Sequence, residues 1–427
     1  VPDSEEKTVT RGDFVLVPFG AGNRKQSAIV VVSEHEEEAE EGLSLKPVIS
    51  VISPELSLSE EMLGIADFLC ERTFCSAGDA VRRLIPADAF EKAEELFSAA
   101  EGVDVPSLNQ RSRVLFEYLL ENGKTSVPDL KKVFSDDVSS LARKMARSGL
   151  LVSELKIKGA TKAEERVAVL RDDGDESALS MPRTTDAHRR LYERIQKAGR
   201  IPLSELTDEG FSPSTAKGLE KRGLINIIKQ EKLRLPYMNL PVRNERTNLS
   251  AEQSRAKEEL LSLIDGDPHG ALLYGVTGSG KTSIILSLCE DVVGMGKTAI
   301  VLVPEIALTW QSVATFSARF GDRLAVIHSA LSAGERFDTY RKIRRGDCDV
   351  VLGTRSAIFA PLENLGLIVI DEEQEHTYKS DQSPKYSAKD VARYRCKNSG
   401  ALMLLCSATP SVETYYRAVT GVYSLVK

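Results

Sequence analysis

The stretch LLYGVTGSGKTSIILSLCEDV, residues 272–292, places an apolar run, a glycine-rich loop and an amphipathic run in that order. The loop fits the pattern GxxxxGK[ST], which binds phosphate between a strand and a helix. Its backbone N–H groups and the N-terminus of the following helix both favour an anion. We therefore predict that a nucleotide phosphate is bound by Gly278, Ser279, Gly280, Lys281 and Thr282.

The phosphate loop belongs to a segment with the pattern of a parallel sheet. From Leu249 onward, short apolar runs alternate with amphipathic stretches. Strands that are apolar on both faces and separated by helices indicate a parallel sheet covered on both sides. The runs are GALLYGV, KTAIVLVP, RLAVIHS, CDVVLGT, LGLIVIDEE and ALMLLCSAT. Residues 241–427 are predicted to form an α/β P-loop domain of the RecA-like type.

Carboxylates follow one of these apolar runs, LGLIVI, at Asp371 and Glu372. In open α/β sheets, ligands bind at the carboxyl ends of the strands. We expect Lys281 to reach the β- and γ-phosphates, and Thr282 and Asp371 to hold Mg²⁺. Glu372 is expected to orient and deprotonate the attacking water. The predicted cofactors are a nucleoside triphosphate, taken as ATP on the resemblance given below, and Mg²⁺, and the predicted catalytic residues are Lys281, Asp371 and Glu372.

The N-terminal part has a β-rich sequence pattern without a phosphate loop. Two β-rich runs, Phe14 to Val17 and Ala28 to Val32, flank a turn that contains Gly and Asn, which predicts a hairpin. A third run, KPVISVIS, completes a small β unit over residues 1–52, and we expect helices from Ser59 to about Glu101. Residues 1–107 are predicted to form one N-terminal domain.

Residues 108–240 contain an internal repeat. Gly149 and Leu150 in the first copy match Gly223 and Leu224, and each copy is predicted to contain three helices. The pattern favours a winged-helix unit, a helix-turn-helix variant in which one helix can enter a DNA major groove. A helical packing module without DNA contact is the alternative. The predicted fold is multidomain: a small β-rich N-terminal domain, a helical winged-helix region, and the α/β P-loop domain.

Composition limits the classes of protein further. The 427 residues carry a formal net charge of -7, with an acidic run at residues 34–41. The six cysteines form no CxxC pair, so neither a zinc site nor a disulfide framework is indicated. No apolar stretch approaches the roughly 18 residues of a membrane span, so we expect a cytoplasmic protein without a membrane partner. The chain starts at Val1 and ends on GVYSLVK without a closing element, so we expect a piece of a longer protein.

Five segments carry a resemblance to a known family. In order and spacing, GVTGSGKT, LVPEIALT, GTRSAIFAP, DEEQEHTYK and CSATPS resemble motifs I, Ia, Ib, II and III of superfamily 2 helicases. With VPFG, the Lys-Pro pair at 46–47 and IHSALSAGER, they resemble more narrowly the PriA family of bacterial primosomal helicases. That resemblance implies an ATP-dependent 3'-to-5' DNA helicase that recognises stalled or abandoned replication forks and promotes primosome assembly. The implied partners are forked and single-stranded DNA, single-stranded DNA-binding protein and primosomal loader proteins.

The resemblance also implies roles for individual residues. Gln253 would read adenine, since an amide offers a paired donor and acceptor. The segments 303–309 and 353–359 would touch the backbone of the translocating strand. In the segment after the acidic motif, tyrosines would stack on bases, and lysines, including Lys389, would meet phosphates. The implied DNA-binding residues are Thr354, Arg355, Ser356, Tyr378, Lys379, Lys385 and Tyr386.

The chain departs from the family pattern at one motif position. The family usually has DEEH, and here Gln374 replaces the histidine with an amide that cannot titrate. The resemblance implies that residues 1–107 are a 3'-end DNA-binding domain, which in the family holds the 3' end of a nascent leading strand in a pocket. A strand that partly builds this pocket precedes VP in the family and would lie before Val1. Motifs IV to VI, with the arginine that completes the ATP site, and the zinc-binding cysteines are expected after Lys427. Two other readings stay open at this point: a fork-binding module whose ATP site hydrolyses poorly, and a different superfamily 2 DNA translocase.

Overall fold

The protein is described by a computed structural model, which divides into two compact units: Val1–Ala160 with Pro236–Lys427, and Thr161–Leu235. Among the described residues, no helix is long and apolar enough to cross a membrane. The described residues are 9–19, 24–31, 48–51, 54–86, 92–100, 102, 108–134, 137–158, 163–171, 184–235, 237, 248–264, 266 and 270–427. The acidic run at 34–41 and the Lys-Pro pair at 46–47 lie outside them.

The N-terminal sheet has three antiparallel strands in the order β2-β1-β3. They are β1 (Phe14–Phe19), β2 (Arg24–Ile29) and β3 (Ser50–Val51). The predicted hairpin of the first two runs is confirmed, although the second strand begins at Arg24, before the predicted Ala28. Its first strand contributes the buried side chains of Phe14, Val15 and Leu16 to the core.

Two helices follow this sheet, α1 (Glu60–Thr73) and α2 (Ala77–Leu84). Ser59 caps the first by accepting a hydrogen bond from Met62 N, and Ser76 caps the second in the same way from Asp79 N. The buried side chains of α1 recur at helical spacing and face the core: Met62, Leu63, Ile65, Ala66 and Leu69. The expected helix start after Ser59 is confirmed.

The expectation of helix as far as Glu101 is wrong, because Lys92–Ala99 forms strand β4. This strand begins the first copy of the repeat: β4, α3 (Gln110–Asn122), β5 (Thr125–Ser126), α4 (Val127–Val133), α5 (Val138–Arg147) and β6 (Leu151–Lys158). Strand β4 lies before the predicted boundary at 107 and pairs with β6 across it.

The second copy has the same order of elements and is contained in the unit Thr161–Leu235. Its elements are β7 (Ala163–Leu170), α6 (Asp186–Ala198), β8 (Arg200–Pro202), α7 (Leu203–Asp208), α8 (Pro213–Lys221) and β9 (Ile225–Lys232). The two sheets are ordered β5-β4-β6 and β8-β7-β9. Each copy therefore has three helices against a three-stranded sheet, with a leading strand that the sequence did not predict, and the assignment of a winged-helix DNA-binding region stays a prediction.

The shared Gly-Leu pairs end the third helix of each copy. Gly149 and Gly223 have φ of 74° and 73°, a left-handed conformation that glycine adopts without strain. Leu150 N then donates to Met145 O at 2.9 Å, and the equivalent bond runs from the residue after Gly223 back to Leu219 O at 3.1 Å. These are the bonds of a glycine-terminated helix end.

The C-terminal part is a seven-stranded sheet in the order β12-β13-β11-β14-β15-β10-β16, and every paired strand in it is parallel. Its strands are β10 (Gly270–Tyr274), β11 (Thr298–Leu302), β12 (Leu324–Ile327), β13 (Val350–Gly353), β14 (Leu365–Ile370), β15 (Leu402–Ser407) and β16 (Ser424–Val426). Its helices are α9 (Ala251–Ser262), α10 (Lys281–Gly294), α11 (Trp310–Phe320), α12 (Ala333–Arg344), α13 (Ala388–Ser399) and α14 (Val412–Val419).

Successive residues of the central strands point to opposite faces, and both faces are buried. On β11, Ile300 packs in one apolar cluster and Val301 in the other. All six predicted runs contain a strand, so the parallel-sheet prediction is confirmed. The expected lack of a closing element is wrong, because the final run SLV forms β16 and pairs with β10.

Candidate functional site

The phosphate loop connects β10 to α10, as the motif requires. Gly278 and Gly280 have φ of 79° and 80°, so the loop uses the backbone freedom of glycine twice. Lys281 is buried at 8% exposure, and its Nζ donates to the carbonyl oxygens of Gly275 at 2.9 Å and Val276 at 3.3 Å. The loop, the N-terminus of α10 and the Lys281 ammonium group thus form one anion-binding corner.

Gln253 contacts the phosphate loop directly. Its Oε1 accepts from Ser250 N at 2.9 Å, closing a capping box at the start of α9, and its Nε2 donates to Ser279 O at 2.8 Å. The φ of 80° at Gly280 favours glycine there, and a Cβ would also lie 2.3 Å from that nitrogen. Both groups of the amide are engaged within the protein, and its reading of adenine stays a prediction.

Asp371 and Glu372 follow β14 at the same edge of the sheet as the phosphate loop. Asp371 N donates to Leu302 O at 2.9 Å, and Asp371 Oδ1 accepts from Glu372 N at 3.0 Å. Burial and then the neighbouring charge of Glu372 raise the pKa of Asp371 to about 6, while Lys281 opposes this shift. A carboxylate whose ionised form is disfavoured in this way gains from a nearby cation.

These donors suit magnesium. Within the described residues, no group of three or more His, Cys, Asp or Glu side chains is arranged to hold a metal ion. Magnesium is commonly held by one or two protein oxygens together with water and substrate phosphates. The half-buried carboxylate of Asp371 and the exposed hydroxyl of Thr282 offer that donor set beside the phosphate loop.

Gln374 joins the acidic motif to the segment CSATPS. Its Nε2 donates to Glu372 Oε2 at 2.9 Å, and its Oε1 accepts from Ser407 Oγ at 2.6 Å. Ser407 is fully buried at the end of β15, and its Oγ also accepts from Thr409 N at 2.9 Å. The residue that departs from the family pattern therefore bridges the two motifs through an amide, without an ionisable group at that position.

Glu373 anchors the loop after β14 through its buried carboxylate. Its side chain is fully buried and accepts from Lys389 Nζ at 2.7 Å, Ser411 N at 2.6 Å and Thr414 Oγ1 at 3.0 Å. Burial alone would raise the pKa of Glu373, but Lys389 and these hydrogen bonds outweigh it and lower the pKa. The expectation that Lys389 meets DNA phosphates does not fit, since this lysine neutralises a buried carboxylate.

The two tyrosines expected to stack on bases are buried. Tyr378 is 1% exposed, and its hydroxyl donates to Asp371 O at 2.5 Å and Leu302 O at 3.1 Å. Tyr386 is 6% exposed and packs edge-on against Phe359 with ring centroids 4.8 Å apart. The expected exposure of these rings is not found, because both pack under the loop that was predicted to present them.

The other residues expected to contact the DNA strand fall into two groups, those held by hydrogen bonds within the protein and those with exposed side chains. Thr354 is buried, and its N–H donates to Ile327 O at 3.1 Å. Arg355 NH1 donates to the carbonyl oxygens of Thr377, at 3.1 Å, and of Lys379. The side chains exposed for a phosphate are those of Ser356, Lys379 and Lys385.

Sequence reasoning missed how the N-terminal helices contact these loops. Arg395 on α13 is fully buried: its Nε donates to Glu61 Oε1 at 2.8 Å and its NH1 to the carbonyl oxygens of Ile358 at 2.7 Å and Ala360 at 3.0 Å. Arg83 on α2 donates to Ser383 O at 2.7 Å. No local signal marks Glu61 and Arg395, which are 334 positions apart.

Comparisons with known proteins agree with this architecture. Residues 1–86 match a family model described as 3'DNA-binding domain (3'BD), and residues 250–418 match one described as DEAD/DEAH box helicase. Replication restart protein PriA of Bacillus subtilis is 35% identical over 439 residues, covering 100% of this chain and 53% of that protein. The protein of the same name from Synechocystis sp. is 46% identical over 48% of this chain and 24% of its own length. The one from Chlamydia pneumoniae is 40% identical over 54% of this chain and 31% of its own length.

The chain thus spans about half the length of the Bacillus subtilis relative. The match to that relative extends over the whole of this chain. Within the chain, the 3'DNA-binding domain precedes the helicase domain. The chain belongs to the PriA family, whose curated relatives are named replication restart proteins.

Proposed function

We propose that this chain is the DNA-recognition and first motor portion of an ATP-dependent 3'-to-5' DNA helicase. In this proposal the parent protein recognises stalled or abandoned replication forks in the cytoplasm and promotes primosome assembly. The observation that carries it is the hydrogen-bonded connection of Glu372, Gln374 and Ser407 beside the phosphate loop. A nucleotide site linked to two further motifs of the same sheet edge is suited to a motor rather than to simple nucleotide storage.

The proposed chemistry is attack of water on the γ-phosphorus of ATP, which breaks the bond to the β–γ bridging oxygen and releases ADP and phosphate. Lys281 neutralises phosphate charge, and the backbone N–H groups of 278–282 bind the phosphate oxygens. Thr282 and Asp371 would hold magnesium, which when bound supplies positive charge to the phosphate oxygens. Glu372 orients the water and takes its proton, and Gln374 holds one of its carboxylate oxygens in place.

DNA occupancy can reach this chemistry through the segment that follows Glu372. Tyr378 ties that segment to the backbone of Asp371, and Arg355 ties it to the loop after β13. The exposed Ser356, Lys379 and Lys385 are the proposed phosphate contacts of the translocating strand. A DNA strand bound there would contact the same segment that positions the backbone of Asp371. This arrangement supports a role of the segment in coupling DNA binding to ATP hydrolysis.

The N-terminal helices rest on the same loops, which supports joint action of fork binding and the motor. Glu61 is paired with Arg395, and Arg395 holds the carbonyl oxygens that end the loop after β13. Arg83 holds the segment after Tyr378 at Ser383 O. The proposed partners are forked and single-stranded DNA, bound by residues 1–86 and by the motor loops, with single-stranded DNA-binding protein and primosomal loaders as protein partners.

A second candidate concerns the 427 residues taken alone: a fork-binding module that binds ATP but hydrolyses it slowly. The described residues contain one seven-stranded P-loop sheet. An arginine finger supplied by a second domain increases the hydrolysis rate by a factor on the order of 10³ to 10⁵, so hydrolysis without that arginine is expected to be slow. Zinc is proposed only for a more C-terminal region, as the resemblance implies.

The test compares ATP hydrolysis with and without forked DNA, in this chain and in a protein of the relatives' full length. We expect the longer protein to hydrolyse ATP on the order of 10³ to 10⁵ faster when forked DNA is present. Glu372→Gln in both proteins is the control for contaminating hydrolysis. Fork-stimulated turnover by the 427 residues at the rate of the longer protein would contradict the second candidate. Failure of the longer protein to hydrolyse ATP would contradict the first.

A further inference from the structure

The single tryptophan of the chain lies in an open position beside the motor loops. Trp310 is 61% exposed at the first residue of α11, and Ile306, in the turn before it, is 83% exposed. An indole ring is normally buried to a high degree because of its large apolar surface. Its exposure next to a second large apolar side chain is a feature that the proposed chemistry has not used.

The Trp310 ring is supported rather than loose. The ring of Tyr237 lies 6.0 Å from that of Trp310 and 5.8 Å from that of His328, measured between centroids. The Tyr237 hydroxyl and His328 Nε2 are 2.7 Å apart. Tyr237 and His328 are both half-buried. The Tyr237 ring, itself held by His328, therefore lies against the indole ring, and more than half of the Trp310 surface faces solvent.

The cluster adjoins the loop proposed to contact the translocating strand. Ile327, directly before His328, accepts a hydrogen bond from Thr354 N at 3.1 Å. The strand that leads to Trp310 is tied to the same loop, because Val303 N donates to Gly353 O at 2.9 Å. Trp310 therefore lies at the carboxyl edge of the sheet, the same edge that carries the loop with the proposed phosphate contact Ser356.

We propose that Trp310 is a base-stacking platform for single-stranded DNA, supported by Tyr237 and flanked by Ile306. The inference rests on the proposed helicase function. A supported aromatic face beside phosphate-binding groups binds single strands of any sequence, because every base has a face to stack. This assignment replaces the stacking expected of Tyr378 and Tyr386, whose rings are buried. A protein partner or a second copy of the chain is the competing occupant of an exposed apolar patch.

The test uses tryptophan fluorescence, which reports Trp310 alone because the chain has one tryptophan. The 427-residue chain is titrated with oligo-dT and with an abasic oligonucleotide of equal length and charge. Quenching by oligo-dT and little quenching by the abasic strand are expected. Binding itself is followed in parallel by the anisotropy of labelled oligonucleotides.

Trp310→Ala should raise the dissociation constant for oligo-dT by about 5- to 150-fold, the range for one lost stacking contact. Trp310→Phe should keep most of the affinity, since a ring remains. Tyr416→Ala is the matched control, because Tyr416 is a 65% exposed aromatic side chain on α14 and should leave the affinity unchanged. Circular dichroism of each variant verifies folding.

The outcomes separate the two levels of the proposal. Oligo-dT binding without quenching, or with equal affinity in Trp310→Ala, overturns the platform and leaves the proposed helicase function standing. No binding of either strand overturns both. A Trp310→Ala variant with unchanged DNA affinity and a changed association state in sedimentation would assign the patch to a protein contact and overturn the platform.

Discussion

Removal of the Glu61 carboxylate should destabilise the protein far more than removal of its neighbour Glu60. Arg395 is 0% exposed and Glu61 is 28% exposed, whereas Arg11 and Glu60 are 39% and 70% exposed in an ion pair of the same length, 2.8 Å. In Glu61→Ala, a buried guanidinium group loses its opposite charge. The two residues share the first turn of α1, so helix effects are nearly matched between the variants.

The magnitude follows from burial. Breaking a buried pair by removing one partner costs about 3 to 5 kcal/mol, and the partial exposure of Glu61 favours the lower end, about 3 kcal/mol. An exposed pair contributes about 0 to 1 kcal/mol, so Glu60→Ala should cost less than about 1 kcal/mol. The free energy of unfolding is measured in urea by circular dichroism.

A double variant sharpens this comparison. Glu61→Leu with Arg395→Met removes both charges and should recover part of the loss, because an apolar pair needs no desolvation of ions. Full recovery is not expected, since the carbonyl oxygens of Ile358 and Ala360 lose their donor. Equal losses in Glu61→Ala and Glu60→Ala would refute the view that the N-terminal helices are fastened to the motor by a buried charge pair.

Two further predictions concern the acidic motif. Tyr378→Phe keeps the buried ring but removes the hydrogen bond to Asp371 O, so it should lower the free energy of unfolding by about 1 kcal/mol. In the full-length protein it should reduce DNA-stimulated ATP hydrolysis more than basal ATP hydrolysis. An equal reduction of both rates would exclude a coupling role. Burial raises the pKa of Asp371 from an ordinary 3.8 to about 6. Ionisation of this group therefore lowers the free energy of unfolding as the pH rises through that interval. Since magnesium needs the ionised form, calorimetric titration should show Mg·ATP affinity falling as pH drops through about 6, and a flat profile between pH 5 and 8 would contradict this.

The parallel sheet was predictable because its strands are apolar on both faces, a pattern that few other structures produce. The positions of the phosphate loop, Asp371 and Glu372 at the sheet edge were predictable as well, since each follows a strand directly in the sequence. Gly149 and Gly223 were also informative, because a glycine after a helix determines how that helix ends.

Long-range pairing decided the features that the sequence did not reveal. The segment KAEELFSA is rich in residues that favour helices, yet it forms β4 because it pairs along its whole length with β6. Tyr378 lies between Thr377 and Lys379, both exposed, so its neighbours predict exposure while the ring is buried. Local composition does not report which side chain a loop folds inward.

The proposed function has ATP bound at the phosphate loop and forked DNA bound at different residues, 1–86 and the motor loops, and Lys281→Ala tests this division most directly. Binding of Mg·ATP by calorimetry and of forked DNA by anisotropy are measured for the wild-type chain and for this variant. The variant should lose nucleotide binding, because Lys281 supplies the positive charge at the phosphate loop, and should bind forked DNA without ATP as the wild type does. Loss of fork binding equal to the loss of nucleotide binding, or unchanged nucleotide affinity in the variant, would contradict the account.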